Sequence, residues 1–265
     1  MSFTFIEKGP EKADAPALVL LHGIGSAGRS FEHQINAFSP RFRVLAWDAP
    51  GYGGSTELPV DHPTASDYAI ELVKLLDERG IKRCHLLGHS LGCLIAARFT
   101  AIRPDRVQTL TLCSVATGHA NVATVERENA LTQRLGDLAK LGPAGMAKER
   151  APRLLGLAAA PDALARLTDT MSSVKPRGYG QAARMLSTGD VKADIARFPL
   201  PVPGQIIYGD ADVITPPARN QDVAAAWKGA AVNVIPGAGH ALYIEQPAAF
   251  NAVLDAFLSK STGQK

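Results

Sequence analysis

The 265-residue chain has little cysteine and no cysteine pattern. Cys84, Cys93 and Cys113 are odd in number and show no C-x-x-C spacing, which excludes a disulfide framework and a zinc ribbon. Unpaired thiols fit a reducing compartment. Residues Met1 to Lys8 lack a basic stretch followed by an apolar run, so no signal peptide is expected and the expected location is cytoplasmic. Long hydrophobic runs are missing too: the longest candidate, Ala15 to Ile24, is about half of the ~20 residues that a membrane span needs. Charge of one sign is scarce. Lys and Arg total 28 against 25 Asp and Glu, and no dense basic run occurs, so nothing argues for nucleic acid. No heptad seam speaks to an oligomeric state.

Hydrophobic residues make up 46% of the chain and charged residues 20%, enough apolar content for a sizeable core and too much for disorder. Their arrangement alternates. Short β-rich runs occur at Ala17–Leu21, Phe42–Ala46, Cys84–Leu87 and Val107–Cys113, with helical stretches at Thr64–Arg79 and Ser90–Ile102. Leu18–Leu21 and Leu86–Leu87 are apolar without a period of two, as in strands buried on both faces of a parallel sheet. The alternation predicts an α/β fold with a mostly parallel, doubly wound sheet.

The pattern changes near Thr117. From 117 to 190 the chain is rich in Ala, Leu and Arg, broken by Gly142-Pro143, Pro152, Pro161 and Pro176, and offers no convincing strand. It reads as an inserted helical lid between two core segments, 1–116 and 191–265. After Pro203 the alternation returns, with strands at Gln205–Tyr208 and Ala231–Ile235 and helices at Pro217–Trp227 and Pro247–Leu258.

Gly88-His89-Ser90-Leu91-Gly92 fits G-x-S-x-G, with an apolar strand before it and a helix after it. Such a turn lifts a serine hydroxyl to the edge of a sheet, and glycines on either side remove Cβ atoms that would clash. A serine nucleophile needs a base and a group to orient it. Gly209-Asp210-Ala211-Asp212 and Gly237-Ala238-Gly239-His240 supply both, each after a predicted strand, in the order Ser, Asp, His.

With these motifs, His22-Gly23-Ile24-Gly25 and the run Trp47 to Ser55, the chain resembles the α/β-hydrolase fold family over nearly its full length. The resemblance extends to its small-ester hydrolases, 3-oxoadipate enol-lactonases and meta-cleavage product hydrolases. It implies a triad of Ser90, Asp212 and His240, with Asp212 preferred over Asp210 by the pattern G-x-x-D-x-x-x-P. It implies an oxyanion hole from the backbone amides of Ile24 and Leu91, with Gly25 as a possible substitute and a neighbour of the substrate. In similar proteins the histidine at the place of His22 is structural. His89 is expected to point away from the chemistry, and His33, His62, His85 and His119 to be solvated or packed. Asp48 to Ser55 reads as a structural loop and Cys93 as a packed side chain. Gly23, Gly25 and Gly28 also fit G-x-G-x-x-G, but the run begins with His22 and a dehydrogenase has no use for the triad residues.

The expected activity is hydrolysis of a carboxylic ester or lactone through an acyl-enzyme on Ser90, with no cofactor and no metal. C–C bond hydrolysis of the meta-cleavage type, or perhydrolysis, is the alternative within the enzyme class. Ala241 after His240 and the loop Ile24-Gly25-Ser26-Ala27 depart from the meta-cleavage pattern. A ligand-binding protein on the same scaffold is the alternative outside it; an intact triad argues against that. The basic surplus of the lid suggests a small substrate of anionic character, gripped by an arginine such as Arg127, Arg153 or Arg184.

Overall fold

The computed structural model describes residues 1–10, 12, 15–157, 159, 161–198 and 201–262. The last three residues of the segment 191–265 therefore lie outside the described residues. The elements in chain order are β1 (Phe5–Lys8), β2 (Ala17–Leu21), α1 (Glu32–Phe38), β3 (Arg43–Trp47), α2 (Ala65–Glu78), β4 (Cys84–His89), α3 (Leu91–Ile102) and β5 (Val107–Cys113). Four helices follow, α4 (Thr124–Arg150), α5 (Pro161–Ser172), α6 (Pro176–Thr188) and α7 (Val191–Ile195). The chain then returns through β6 (Gly204–Gly209), α8 (Pro217–Ala226), β7 (Ala231–Ile235), α9 (Leu242–Glu245) and α10 (Pro247–Thr262).

The strands form one seven-stranded sheet in the order β1-β3-β2-β4-β5-β6-β7. Every pairing is parallel except β1 with β3. All five residues of β2 are buried, and they divide by the strand period of two: Val19 and Leu21 join one apolar cluster, Leu18 and Leu20 the other. That double burial is why the run lacks polar alternation. The edge strand β7, by contrast, exposes three of its five residues. Thr64 starts α2 with a capping box, its amide donating to Asp67 Oδ2 at 2.7 Å.

Four short elements escape the sequence reading, among them the five-residue α7 and the four-residue α9. β1 has only four residues and alternates half-buried with exposed positions, and α1 spans seven residues. Between Thr117 and Asp190 the described residues contain no strand. The long α4 is two helices end to end, broken where Gly142 takes φ 65° before Pro143. At the start of α6 the backbone of Gly178 presses on that of Gly51: a Cβ built on Gly178 would lie 2.1 Å from the Gly51 carbonyl oxygen.

The topology places the site. From β2 the chain moves to β3 on one side, whereas β4 pairs on the other side of β2. Crevices open beyond the carboxyl ends of strands at such a switch point. The loops after β2 and β4, carrying Ile24 and Ser90, flank this one.

Candidate active site

Ser90 sits between the last residue of β4 and the first of α3, with φ 52° and ψ −114°. A positive φ on a residue with a side chain costs ~1–3 kcal/mol, and the surroundings must hold it. Here the Ser90 amide donates to the Cys113 carbonyl at 2.9 Å, and the Ser90 carbonyl accepts from the Cys93 amide at 3.0 Å. The flanking glycines are required by close approach. A Cβ on Gly92 would fall 2.3 Å from the Leu21 carbonyl oxygen, and one on Gly88 would fall 2.5 Å from that of Gly92.

Asp212 follows β6 and His240 follows β7, so both reach the same end of the sheet as Ser90. His240 Nδ1 lies 2.9 Å from Asp212 Oδ2. The same oxygen accepts the Thr215 hydroxyl at 2.8 Å, and Asp212 Oδ1 accepts the amides of Ile214 and Thr215 at 2.8 and 2.9 Å. Burial alone would raise the Asp212 pKa. The bond and charge of His240, with the Thr215 amide and hydroxyl, outweigh it and bring the carboxyl down to about 2. An ionised carboxylate only accepts, so the proton in this bond is on His240 Nδ1. Ser90 and His240 line one cavity of about 300 Å³. Asp210 has a different place: exposed, its Oδ1 accepts the Gly237 amide at 2.6 Å and ties the loop after β6 to the loop after β7.

Gly23, Ile24, Gly25 and Ser26 form one wall of the cavity. Leu91 opens α3, so its amide is among those a helix start leaves without an intrahelical carbonyl, while its side chain is in the core. The Gly25 amide is 3.5 Å from Tyr52 Oη. His22 holds the loop: its Nε2 accepts the Ala49 amide at 3.0 Å, so the proton on Nδ1 is donated to the Gly23 carbonyl at 2.8 Å. Asp48 is likewise engaged within its loop region, accepting from the Gly28 amide and the Thr4 hydroxyl, each at 2.9 Å. Cys93 is buried, donates to the Gly88 carbonyl, and burial pushes its thiol up to about 12.

Two histidines differ from expectation. His89 does not point away: it lines the cavity, its ring lies 4.9 Å from that of His240, and its Nε2 is 2.9 Å from the His240 carbonyl. Burial, then the charge of His240, lowers its pKa to about 3, so it is neutral and donates through Nε2. The G-x-S-x-G pattern leaves that residue unspecified, and nothing in the sequence reports the loop of His240 lying over it. His119 also lines the cavity rather than packing elsewhere.

Of the three arginines singled out in the sequence, Arg153 lines the cavity; Arg127 and Arg184 are not among its lining residues, whereas Arg134, Arg150 and Arg219 are. Arg127 and Arg134 are seven residues apart on α4 and share a helix face, yet they are ~10 Å apart along its axis, and only the second reaches the cavity. The Arg184 Nη1 lies beside Gly180, one turn earlier on its own helix. Among the described residues no group of three His, Cys, Asp or Glu could hold a metal ion, and no helix is long and apolar enough to cross a membrane.

Comparison with known proteins agrees with this architecture. The chain is 30% identical over 259 residues, 94% of its length, to RutD of Pseudomonas syringae pv. syringae, a protein described as a candidate carbamate hydrolase; the match covers 96% of that protein. Its structure superposes on the enol-lactonase of Burkholderia xenovorans LB400 with a TM-score of 0.83 and 26% identity, covering 97% of this chain and 96% of that one. A malate-bound thermophilic esterase from Thermogutta terrifontis shares the fold with a TM-score of 0.87 at 24% identity, over 98% and 93% of the two chains. The profile of the alpha/beta hydrolase family matches residues 18–253. The chain belongs to the alpha/beta hydrolase family.

Proposed function

We propose that the protein is a serine hydrolase that cleaves a carboxylic ester or lactone through an acyl-enzyme on Ser90. One observation carries the reading: Ser90, held at φ 52° on the strand–helix turn, shares a cavity with His240, whose Nδ1 is bonded to Asp212 at 2.9 Å. His240 Nε2 takes the Ser90 proton as Oγ bonds to the acyl carbon. The amides of Ile24 and Leu91 receive the oxyanion. The C–O bond to the leaving group breaks, and the leaving oxygen takes the proton from His240. Water then attacks the acyl-enzyme with His240 as base, and Ser90 leaves with the proton. Asp212 keeps the imidazole in one tautomer and stabilises its protonated form.

The helices of 117–190 act as the lid. The cavity, about 300 Å³, is at the small end for ligand sites, which favours a short acyl group. Three free cysteines, all buried, fit a cytoplasmic setting. A second reading, a carbamate in place of the ester, is favoured by the similarity to RutD and uses the same steps with nitrogen on the acyl carbon.

The test is pre-steady-state release of p-nitrophenol from short acyl esters by the wild type and by Ser90→Ala. The expected result is a burst equal to the enzyme concentration, lost in Ser90→Ala. Turnover unchanged in Ser90→Ala overturns the proposal.

A further inference from the structure

The charged side chains around the cavity are of one sign. Arg134, Arg150, Arg153 and Arg219 line it, and among the described residues no Asp or Glu does. One of these four, Arg150, reaches a carboxylate on Asp137, as Arg166 and Arg177 elsewhere in the helical segment reach Glu32 and Glu57. Among the described residues neither Arg134 nor Arg219 has an ion pair.

Arg134 is nevertheless fixed in place. It is half-buried, and its Nη1 donates to Tyr179 Oη at 2.9 Å. Tyr179 is itself buried and packs beside Gly25 in the loop after β2. A phenol hydroxyl orients a guanidinium without neutralising it. Arg219 arrives from another element, the first turn of α8. Both line the same cavity as His119, whose pKa is lowered by burial and then by the charges of Arg134 and Arg219, so that imidazole adds no charge. Arg219 is exposed and Arg134 half-buried; a partly buried cation with neutral neighbours is costly until an anion joins it, and the planar guanidinium fork matches a carboxylate.

We propose that Arg134 and Arg219 form a carboxylate-binding wall, so that the substrate is an ester or lactone carrying a carboxylate remote from the carbonyl attacked. The acyl-transfer half of this statement rests on the function proposed above; the binding half does not. Arg134 acts from the α4 side, beside the loop that carries Ile24 and Gly25. Arg219 acts from the sheet side, near Thr215. A carboxylate bound between them leaves the other end of a short molecule toward Ser90.

Two measurements separate the halves. The first compares kcat/KM for p-nitrophenyl butyrate and for the mono-p-nitrophenyl ester of glutaric acid in wild type, Arg134→Met, Arg134→Lys, Arg219→Met and Arg166→Met. Charge-assisted bonds of this kind predict that the wild type prefers the acidic ester by at least about tenfold. Arg134→Met and Arg219→Met each reduce that preference about tenfold, mainly through KM. Arg134→Lys keeps part of it, and Arg166→Met, a surface control, keeps all of it. The second measures binding of monomethyl glutarate to Ser90→Ala by calorimetry, with and without Arg134→Met. Binding abolished by Arg134→Met, with no ester turned over by the wild type, upholds the wall and overturns acyl transfer. Turnover of both esters at equal efficiency, with no monomethyl glutarate bound, overturns the wall and leaves the hydrolase. A preference that survives both arginine variants also overturns it.

Discussion

His89 donates Nε2–H to the main-chain carbonyl of His240 at 2.9 Å, with the two rings 4.9 Å apart. The residue before the serine thereby fixes the backbone that carries the base, linking β4 to the loop after β7. Tyr243 closes on the other side, its ring 4.7 Å from that of His89. Burial keeps this imidazole neutral.

Acid therefore weakens the fold. His89 is lowered to about 3 and His85 to about 4, in both cases mainly by burial, from an ordinary value near 6.5. Between those values the unfolded chain binds protons that the folded chain refuses. Stability is complete above about pH 6.5 and falls as the pH drops toward 3, at ~1.4 kcal/mol per pH unit for each histidine. Urea unfolding at pH 7, 6, 5 and 4 should show this slope, and His85→Gln should make it shallower. A stability constant from pH 7 to 4 contradicts it.

The two acids after β6 should separate cleanly. Asp212→Asn removes the acceptor that fixes the His240 tautomer, and kcat should fall about 10³–10⁴-fold. Asp210→Asn disturbs only the tie to the Gly237 amide at the surface, and kcat should stay within about twofold. Steady-state kinetics on one ester with both variants decides the assignment; equal losses would refute it.

Thr215 gives a subtler outcome. Its hydroxyl holds the same Asp212 oxygen as His240, at 2.8 Å, and is one of the groups that lower the Asp212 pKa. Thr215→Val keeps the shape and removes that bond, so the Asp212 pKa should rise from about 2. A lost bond to a charged group predicts roughly a tenfold or greater drop in kcat. The pH–rate profile should show the acid limb moved upward. An unmoved limb with unchanged kcat would assign Thr215 to packing alone.

The residues of chemistry announced themselves because strand ends and glycines are local signals. Gly88, Gly92, Asp212 and His240 each stand within five residues of a strand terminus, and the backbone clashes that demand glycine are set within a few residues or by the neighbouring strand. β1 was invisible for the opposite reason: four half-exposed residues acquire strand geometry only by pairing antiparallel with β3, some forty positions away. The arginines were legible as a surplus and not as individuals. Which of them reaches the cavity depends on where α4 breaks at Gly142 and how its halves then pack with α5 and α6, and composition does not contain that. His89 and His119 depend in the same way on loops brought over them from distant sequence.

The backbone contact between Gly51 and Gly178 limits how this enzyme can be re-engineered. A Cβ on Gly51 would lie 2.5 Å from the Gly178 Cα, so the seam admits no side chain from either partner. A helical segment grafted from a relative, to bring in new selectivity, must carry glycine at the place of Gly178 or it will stand off the core. The outer faces of α4 and α5 carry no such demand. Gly156 makes a second such fastening, since a Cβ there would lie 2.2 Å from the Gly237 carbonyl oxygen, and diversity introduced away from both glycines leaves the fastenings intact.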